Sequence, residues 1–484
     1  MKQFLYIFLF FTCLTSLAQP KYEVRAVWLT TLRGLDWPNV FAHDGIGIEA
    51  QKQQLCQMLD RLKLAGINTV LLQTRVRATT IYPSNFEPWD ECLSGKAGVS
   101  PGYDALQLAI DECHRRGMEL HAWVVTIPVG KWNTYGCKRI RQRYPSLIKK
   151  IGDEGYMNPD SYHTADYLSN ICQEIAERYD IDGIHLDYIR YPETWRGKMR
   201  ADNITSIVQT IHDRVKSCKP WVKLSCSPIG KYDDLSRYRS NGWNARRRVA
   251  QDAQLWLRTG LMDQLYPMMY FQGNNFYPFA LDWQENSYGR TIVSGLGIYL
   301  LDPREGRFQL SEIKRQLNVT RQMGLGHCYF RAKFLLDNIK EVYDYVAWFN
   351  RHPALIPPMT WAQSTAPTAP TLLQIRHTKQ GDQLNWSGAT NRNDSPYLLY
   401  NIYASKDTPV DISNPANLIA TRHQGLSMLV PYGATRSQLH YAVTALDRYG
   451  NESPAIQEPS AKPSVNPKHP ILTPITQKRK PWRK

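Results

Sequence analysis

From about residue 23 to about residue 353 the chain alternates two hydrophobic rhythms. Short apolar, β-branched runs occupy residues 24–31, 68–75, 119–126, 182–192, 222–227, 263–270, 291–300 and 327–331, and read as strands. Between them lie stretches with apolar residues three and four apart, as in Leu55, Met58, Leu59 and Leu62. These predict helices over 49–65, 103–116, 161–179, 204–216, 245–259, a short one over 279–287, then 312–323 and 336–350. Gly66, Gly117, Gly260 and Gly324 follow helix ends, where a left-handed cap is expected. Eight strand–helix pairs over residues 22–355 predict a (β/α)8 TIM barrel with enlarged loops. The alternative is an open doubly wound sheet. It calls for a glycine-rich phosphate loop after the first strand, where this chain has Thr30-Thr31-Leu32-Arg33-Gly34.

The rhythm changes after Pro357-Pro358. Residues 356–370, with Ala366-Pro367-Thr368-Ala369-Pro370, read as a linker. Short alternating strands then appear at Leu384-Asn385-Trp386, Tyr400-Asn401-Ile402-Tyr403 and Tyr441-Ala442-Val443-Thr444-Ala445. They predict a small all-β immunoglobulin-like sandwich over 371–460. Its ending, Asp447-Arg448-Tyr449-Gly450-Asn451-Glu452-Ser453, resembles a fibronectin type III domain. Such a unit is expected to be a spacer or binding module.

The two ends add a compartment and a charge. Lys2, an apolar run from Phe4 to Leu14 and Ser16-Leu17-Ala18 have the shape of a cleaved signal peptide over 1–18. A secreted or periplasmic protein is therefore expected. The net charge is +16, and seven of those charges lie in residues 461–484, which contain no acid. That basic tail reads as disordered and solvated, with contact to an anionic envelope surface as the alternative. A nucleic-acid role has no motif to support it. The eight cysteines beyond the leader have no regular spacing, so neither a disulfide framework nor a zinc site is predicted. The reading calls for no cofactor and no metal.

In a barrel, the C-terminal ends of the strands carry the chemistry. The fourth strand ends in Asp182-Gly183-Ile184-His185-Leu186-Asp187-Tyr188-Ile189-Arg190, with His185 and Asp187 sharing a face. Gln73 and Arg75 share a face on the second strand, and Arg75 is expected to pair with Asp187 or hold a substrate hydroxyl. Trp89, Trp123 and Tyr270 belong to loops and strand ends and suit the flat faces of sugar rings. Glycoside hydrolysis usually requires two carboxyl groups. Asp187 is the first candidate, as nucleophile or base. The second is not evident, and Glu87 is the choice among the loop acids for the proton donor. His185 and Arg75 are expected to orient Asp187, with Gln73, Arg190, Trp89, Trp123 and Tyr270 lining the substrate.

Several of these segments resemble the glycosyl hydrolase-like 10 family of bacterial envelope proteins. They include Glu23-Val24-Arg25-Ala26-Val27-Trp28, Gly66-Ile67-Asn68-Thr69-Val70, Pro101-Gly102-Tyr103-Asp104, Glu119-Leu120-His121-Ala122-Trp123 and the fourth-strand motif. The resemblance implies a glycosidase-like barrel acting on envelope glycan, including peptidoglycan stripped of its peptides. It carries the family's strand-four aspartate onto Asp187 and its strand-two residues onto Gln73 and Arg75. Two positions depart: Tyr188 stands where many relatives have a second aspartate, and residues 77–81 lack an acid found in relatives. The motif is also similar to the family 18 chitinase strand, but Ile189 takes the place of that family's catalytic glutamate. Two function classes follow: a glycoside hydrolase on a wall or envelope polysaccharide, or a glycan-binding protein that kept the barrel and lost the chemistry. A structural scaffold is the third.

Overall fold

The computed structural model describes residues 19–432 and 438–457. The leader (1–18) and the basic tail (461–484) lie outside the described residues. Eight parallel strands close into a barrel, each beside its neighbour in sequence. They are β1 (Arg25–Leu29), β2 (Thr69–Arg75), β3 (Glu119–Val125), β4 (Gly183–Asp187), β5 (Lys223–Cys226), β6 (Gln264–Leu265), β7 (Thr291–Leu296) and β8 (Gly326–Tyr329). Closure pairs β8 with β1 in the register Arg25↔His327 and Val27↔Tyr329. Helices cover the outside, so the strands are buried on both faces and read as near-continuous apolar runs. Inside the barrel, Ala26, Trp28, Leu71, Trp123, Tyr266 and Cys328 fill the lumen.

Most predicted elements form, with instructive exceptions. Helix Gly45–Leu64 starts on Asp44, whose carboxylate accepts the Gly47 N–H at 2.8 Å. It is followed by Gly66 at φ 74°, where a Cβ would meet Asn350 Cβ at 2.5 Å. The helix expected over 245–259 is two short ones, Ala245–Val249 and Ala253–Arg258, broken where Ala250 turns to φ 54°. The helix expected over 336–350 is likewise divided, into Ala332–Leu336 and Val342–Phe349. β6 is shorter than the apolar run 263–270 implies, because Pro267 cannot donate to the ladder. The loop after β3 holds an unforeseen three-stranded antiparallel sheet (Pro128–Lys131, Ile148–Ile151, Glu154–Met157) and a helix, Tyr135–Arg143.

Beyond the barrel, two antiparallel sheets share one apolar core containing Leu384, Trp386, Ile402, Tyr441 and Val443. One sheet is Thr371–His377, Gly381–Ser387 and Ser427–Pro431. The other is Leu418–His423, Leu399–Ser405, His440–Leu446 and Ile456–Gln457. This unit is docked on the barrel rather than held away as a spacer. Arg422 enters the N-terminal end of the barrel, where it meets Glu119 at 3.0 Å and Asp182. Arg448 reaches Asp180 at 2.7 Å and Asp182 at 3.2 Å. Lys223 on β5 and His114 complete the cluster, at 2.7 Å from Glu119 and 2.8 Å from Asp182. A Cβ at Gly117 would lie 2.2 Å from the Thr421 carbonyl oxygen, so glycine permits the close approach. Residues 356–370 are not a free tether either: the Met359 N–H donates to the Tyr449 carbonyl at 2.8 Å, and the Trp361 indole to Asp263 at 2.9 Å.

This buried charge makes the fold acid-sensitive. Burial by itself raises Glu119, but Lys223 and Arg422 outweigh it and hold the carboxyl at about 2. An unfolded Glu sits near ~4.3, so the pairing stabilises fully above that value and is lost as pH falls toward 2. His327 acts in the same direction. Burial lowers it to about 3, so below ~6.5 the unfolded chain takes up a proton that the folded one refuses. Thermal melts are expected to show Tm falling from pH 7 to pH 3; a flat profile would contradict it.

Among the described residues, no helix is long and apolar enough to cross a membrane. The eight cysteines there are free thiols, six of them buried.

Candidate active site

Strand alternation sends Ile184 and Leu186 toward the helices, and His185 and Asp187 into the barrel. Asp187 is the last residue of β4, with Val125 of β3 beside it. Tyr188 then takes φ 54°, which ends the strand and leaves the residue 38% exposed at the barrel mouth. The Asp187 carboxylate is 6% exposed and accepts three hydrogen bonds: from Ser227 Oγ at 2.7 Å, the Tyr188 N–H at 2.8 Å and Trp123 Nε1 at 3.1 Å. Burial raises its pKa, and this outweighs the opposing pull of Ser227, Arg190, the Tyr188 N–H and Trp123. A carboxyl whose proton affinity is raised suits a general acid better than the nucleophile or base expected from sequence.

The other expected site residues separate into two groups. Tyr270 and Arg190 join Asp187 near the mouth. Tyr270 packs against Tyr299 and Phe330, with ring centroids 5.7 and 5.4 Å apart. The Arg190 guanidinium lies 4.7 Å from the centre of the Tyr188 ring and pairs with Glu193 at 2.6 Å. Trp123 serves the site by orienting Asp187 through its indole N–H.

The remaining residues serve the scaffold. His185 lies one layer below Asp187. Its Nε2 accepts the Trp28 indole N–H at 3.2 Å, which places the ring proton on Nδ1, toward Ser225 Oγ at 3.0 Å. Burial lowers its pKa well below the usual value, so it is a neutral floor residue rather than a substrate contact. Gln73 Oε1 accepts from Thr30 Oγ1 at 2.5 Å, and from the N–H groups of Thr31 and Leu32 at 3.1 and 3.0 Å; it pins the loop after β1. Trp89 is half-buried and packs in the loop after β2.

Arg75 and Glu87 need the largest correction. The β2–β3 register slips between Gln73 and Arg75. Arg75 forms a bidentate pair with Glu87, at 2.8 and 2.7 Å, with both side chains fully buried. Tyr167 of helix Tyr162–Arg178 donates to the same carboxylate at 3.0 Å. Arg75 therefore does not pair with Asp187, and Glu87 is occupied as a structural anion. Glu87→Gln is expected to cost about 1.5–3 kcal/mol by removing charge-assisted bonds. Any glycosidase activity per folded molecule should stay nearly unchanged. Selective loss of turnover with full stability would restore Glu87 as a proton donor.

Two residues at the mouth went unforeseen. Ser227 was legible in principle, two positions beyond Ser225 on the same strand face. Glu193 carried no local signal, since its place depends on the turn that Tyr188 starts. Among the described residues, no group of three or more His, Cys, Asp or Glu is placed to hold a metal ion.

The glycosyl hydrolase-like 10 family model matches residues 23–199 and 192–295. Glycosyl hydrolase YngK of Bacillus subtilis (strain 168) is 28% identical, over 90% of this chain and 93% of that protein. Glycosyl hydrolase DigH of Escherichia coli (strain K12) is 29% identical, over 52% of this chain and 66% of that protein. Among solved structures, the PgaB (BpsB) glycoside hydrolase domain from Bordetella bronchiseptica aligns with 67% of this chain and 98% of that one, at 14% identity and a TM-score of 0.46.

Proposed function

The chain belongs to the glycosyl hydrolase-like 10 family, and from that premise we propose that it hydrolyses glycosidic bonds of a cell-wall or envelope polysaccharide, with peptide-free peptidoglycan as the first candidate. The observation that carries the reading is Asp187: a buried carboxyl at the end of β4, held by three donors, its pKa raised, beside an aromatic wall. In this proposal Asp187 protonates the leaving glycosidic oxygen. Glu193 acts as the second carboxylate; its side chain is 28% exposed on the loop after β4 and paired with Arg190. It would assist water or attack the anomeric carbon. Tyr188 and Tyr270 offer flat faces to the sugar rings. The leader at residues 1–18 would deliver the protein out of the cytoplasm. The C-terminal β unit, with its fibronectin type III-like motif, would brace the barrel from below.

The test is release of soluble sugars from peptide-free peptidoglycan by purified protein. Glu193→Gln is expected to lower that release by about 10²-fold or more while leaving the fold intact. Binding without release by the wild type would favour the second reading, a glycan-binding barrel. The capture of Glu87 by Arg75 speaks for that reading, because it removes one candidate acid from the mouth.

A further inference from the structure

A cavity of about 450 Å³ opens between the loops that follow β3 and β4. Lys149, Lys150 and Ile151 of the loop sheet line it, together with Asp160, Trp195 and Arg196. The chain itself joins this cavity to the mouth. The Trp195 N–H donates to the Pro192 carbonyl at 3.0 Å and closes a four-residue turn that has Glu193 inside it. The ends of such a turn lie less than ~7 Å apart, so Glu193 and the tryptophan are built on one corner. Tyr191, the residue after Arg190, donates to Asp160 Oδ1 at 2.6 Å and ties the loop after β4 to that acid.

The lining suits a sugar ring. Trp195 is half-buried and packs against Tyr191, with ring centroids 5.4 Å apart. A Cβ at Gly197 would lie 2.9 Å from Trp195 Nε1, so glycine lets the chain pass close along the indole. A ring held in this way loses little freedom on binding. Asn203 also donates to Asp160 Oδ1, at 2.9 Å, and Oδ2 makes no hydrogen bond among the described residues, which leaves it to accept from a hydroxyl. Lys149, Lys150 and Arg196 are exposed and bring N–H donors for hydroxyl and acyl oxygens.

We propose that this cavity is a remote sugar subsite, in which Trp195 stacks on a glycan residue beyond those at the mouth, so that cutting favours chains long enough to reach it. The inference rests on the glycosidase reading and deepens it by setting a chain-length requirement. Aromatic faces match the apolar faces of sugar rings, and the polar groups around Trp195 meet their rims. Binding energy gained at a distance from the bond then serves to hold that bond in place.

The experiment is a calorimetric titration on the Asp187→Asn background, so that no bond is cut. The probes are the disaccharide and the octasaccharide prepared from peptide-free peptidoglycan. The octasaccharide is expected to bind about tenfold more tightly. Trp195→Ala should remove most of that gain and leave affinity for the disaccharide unchanged, while Trp195→Phe should keep part of it. The Lys149→Ala/Lys150→Ala double variant leaves the turn at Glu193 untouched and should also shrink the gain. Equal binding of the two fragments, a gain that survives intact in either alanine variant, an equal loss for both fragments, or no binding of either overturns the subsite. A gain that follows Trp195, combined with no sugar release by the wild type, leaves the subsite standing and removes the hydrolase reading. Sugar release from long chains that is indifferent to Trp195→Ala keeps the hydrolase and removes the subsite.

Discussion

Asp187→Asn is expected to reduce sugar release by about 10³- to 10⁴-fold while the protein stays folded. The loss follows from the role, because an amide cannot deliver the proton that the leaving oxygen needs. The tolerance follows from the surroundings. Asparagine keeps an oxygen for Ser227 and the Tyr188 N–H, and turns its amide toward Trp123 Nε1, a donor facing a donor. That mismatch costs about 1–3 kcal/mol. Part is returned, because burial already disfavours the charged carboxylate at this position. Release measured on peptide-free peptidoglycan, beside a thermal melt, checks both halves. Activity within about tenfold of wild type would remove Asp187 from the chemistry.

The largest expected effect on stability lies at the opposite end of the barrel. Arg422→Ala should destabilise the protein by about 3–5 kcal/mol, read as a lower denaturant midpoint. Arg422 is almost buried and bridges two carboxylates on different strands, Glu119 and Asp182. Without it, Glu119 keeps Lys223 and His121, Asp182 keeps His114 and Arg448, and each acid is left with less positive charge in a site that water barely reaches. Breaking one partner out of a buried cluster is costly because the remaining charges stay desolvated. Activity per folded molecule should be preserved, since the mouth is at the other end of the strands. A change below about 0.5 kcal/mol would mean that the β unit is only tethered.

The difference between the two ends of the barrel shows what could be read along the chain. The strands and most helices were legible because each is decided by local periodicity: Leu55, Met58, Leu59 and Leu62 face one side whatever lies beyond. The candidate site was legible at Asp187, where alternation and the strand end are both local. It was misread at Arg75, because one slip in the β2–β3 register redirects a side chain from the mouth to the helix layer. His185 was placed on the correct face but one layer too low for substrate. The apolar spacing of residues 245–259 predicts one helix because it continues across Ala250, whose left-handed turn has no signature in an alanine.

By itself, the order of residues determined the barrel, the all-β unit that follows it and the place of Asp187 at the inward-facing end of β4, since strand period, helix period and turn residues act over a few positions. Tertiary structure alone decided which charges pair. Arg75 finds Glu87 where the β2–β3 register shifts, and Arg422 finds Glu119 across 303 positions. Burial and neighbours then rank the carboxyls: Lys223 and Arg422 pull Glu119 down at the barrel floor, and burial pushes Asp187 up at the mouth. Proton affinity depends on solvent exclusion and on neighbours distant in sequence, and neither is written in any local pattern.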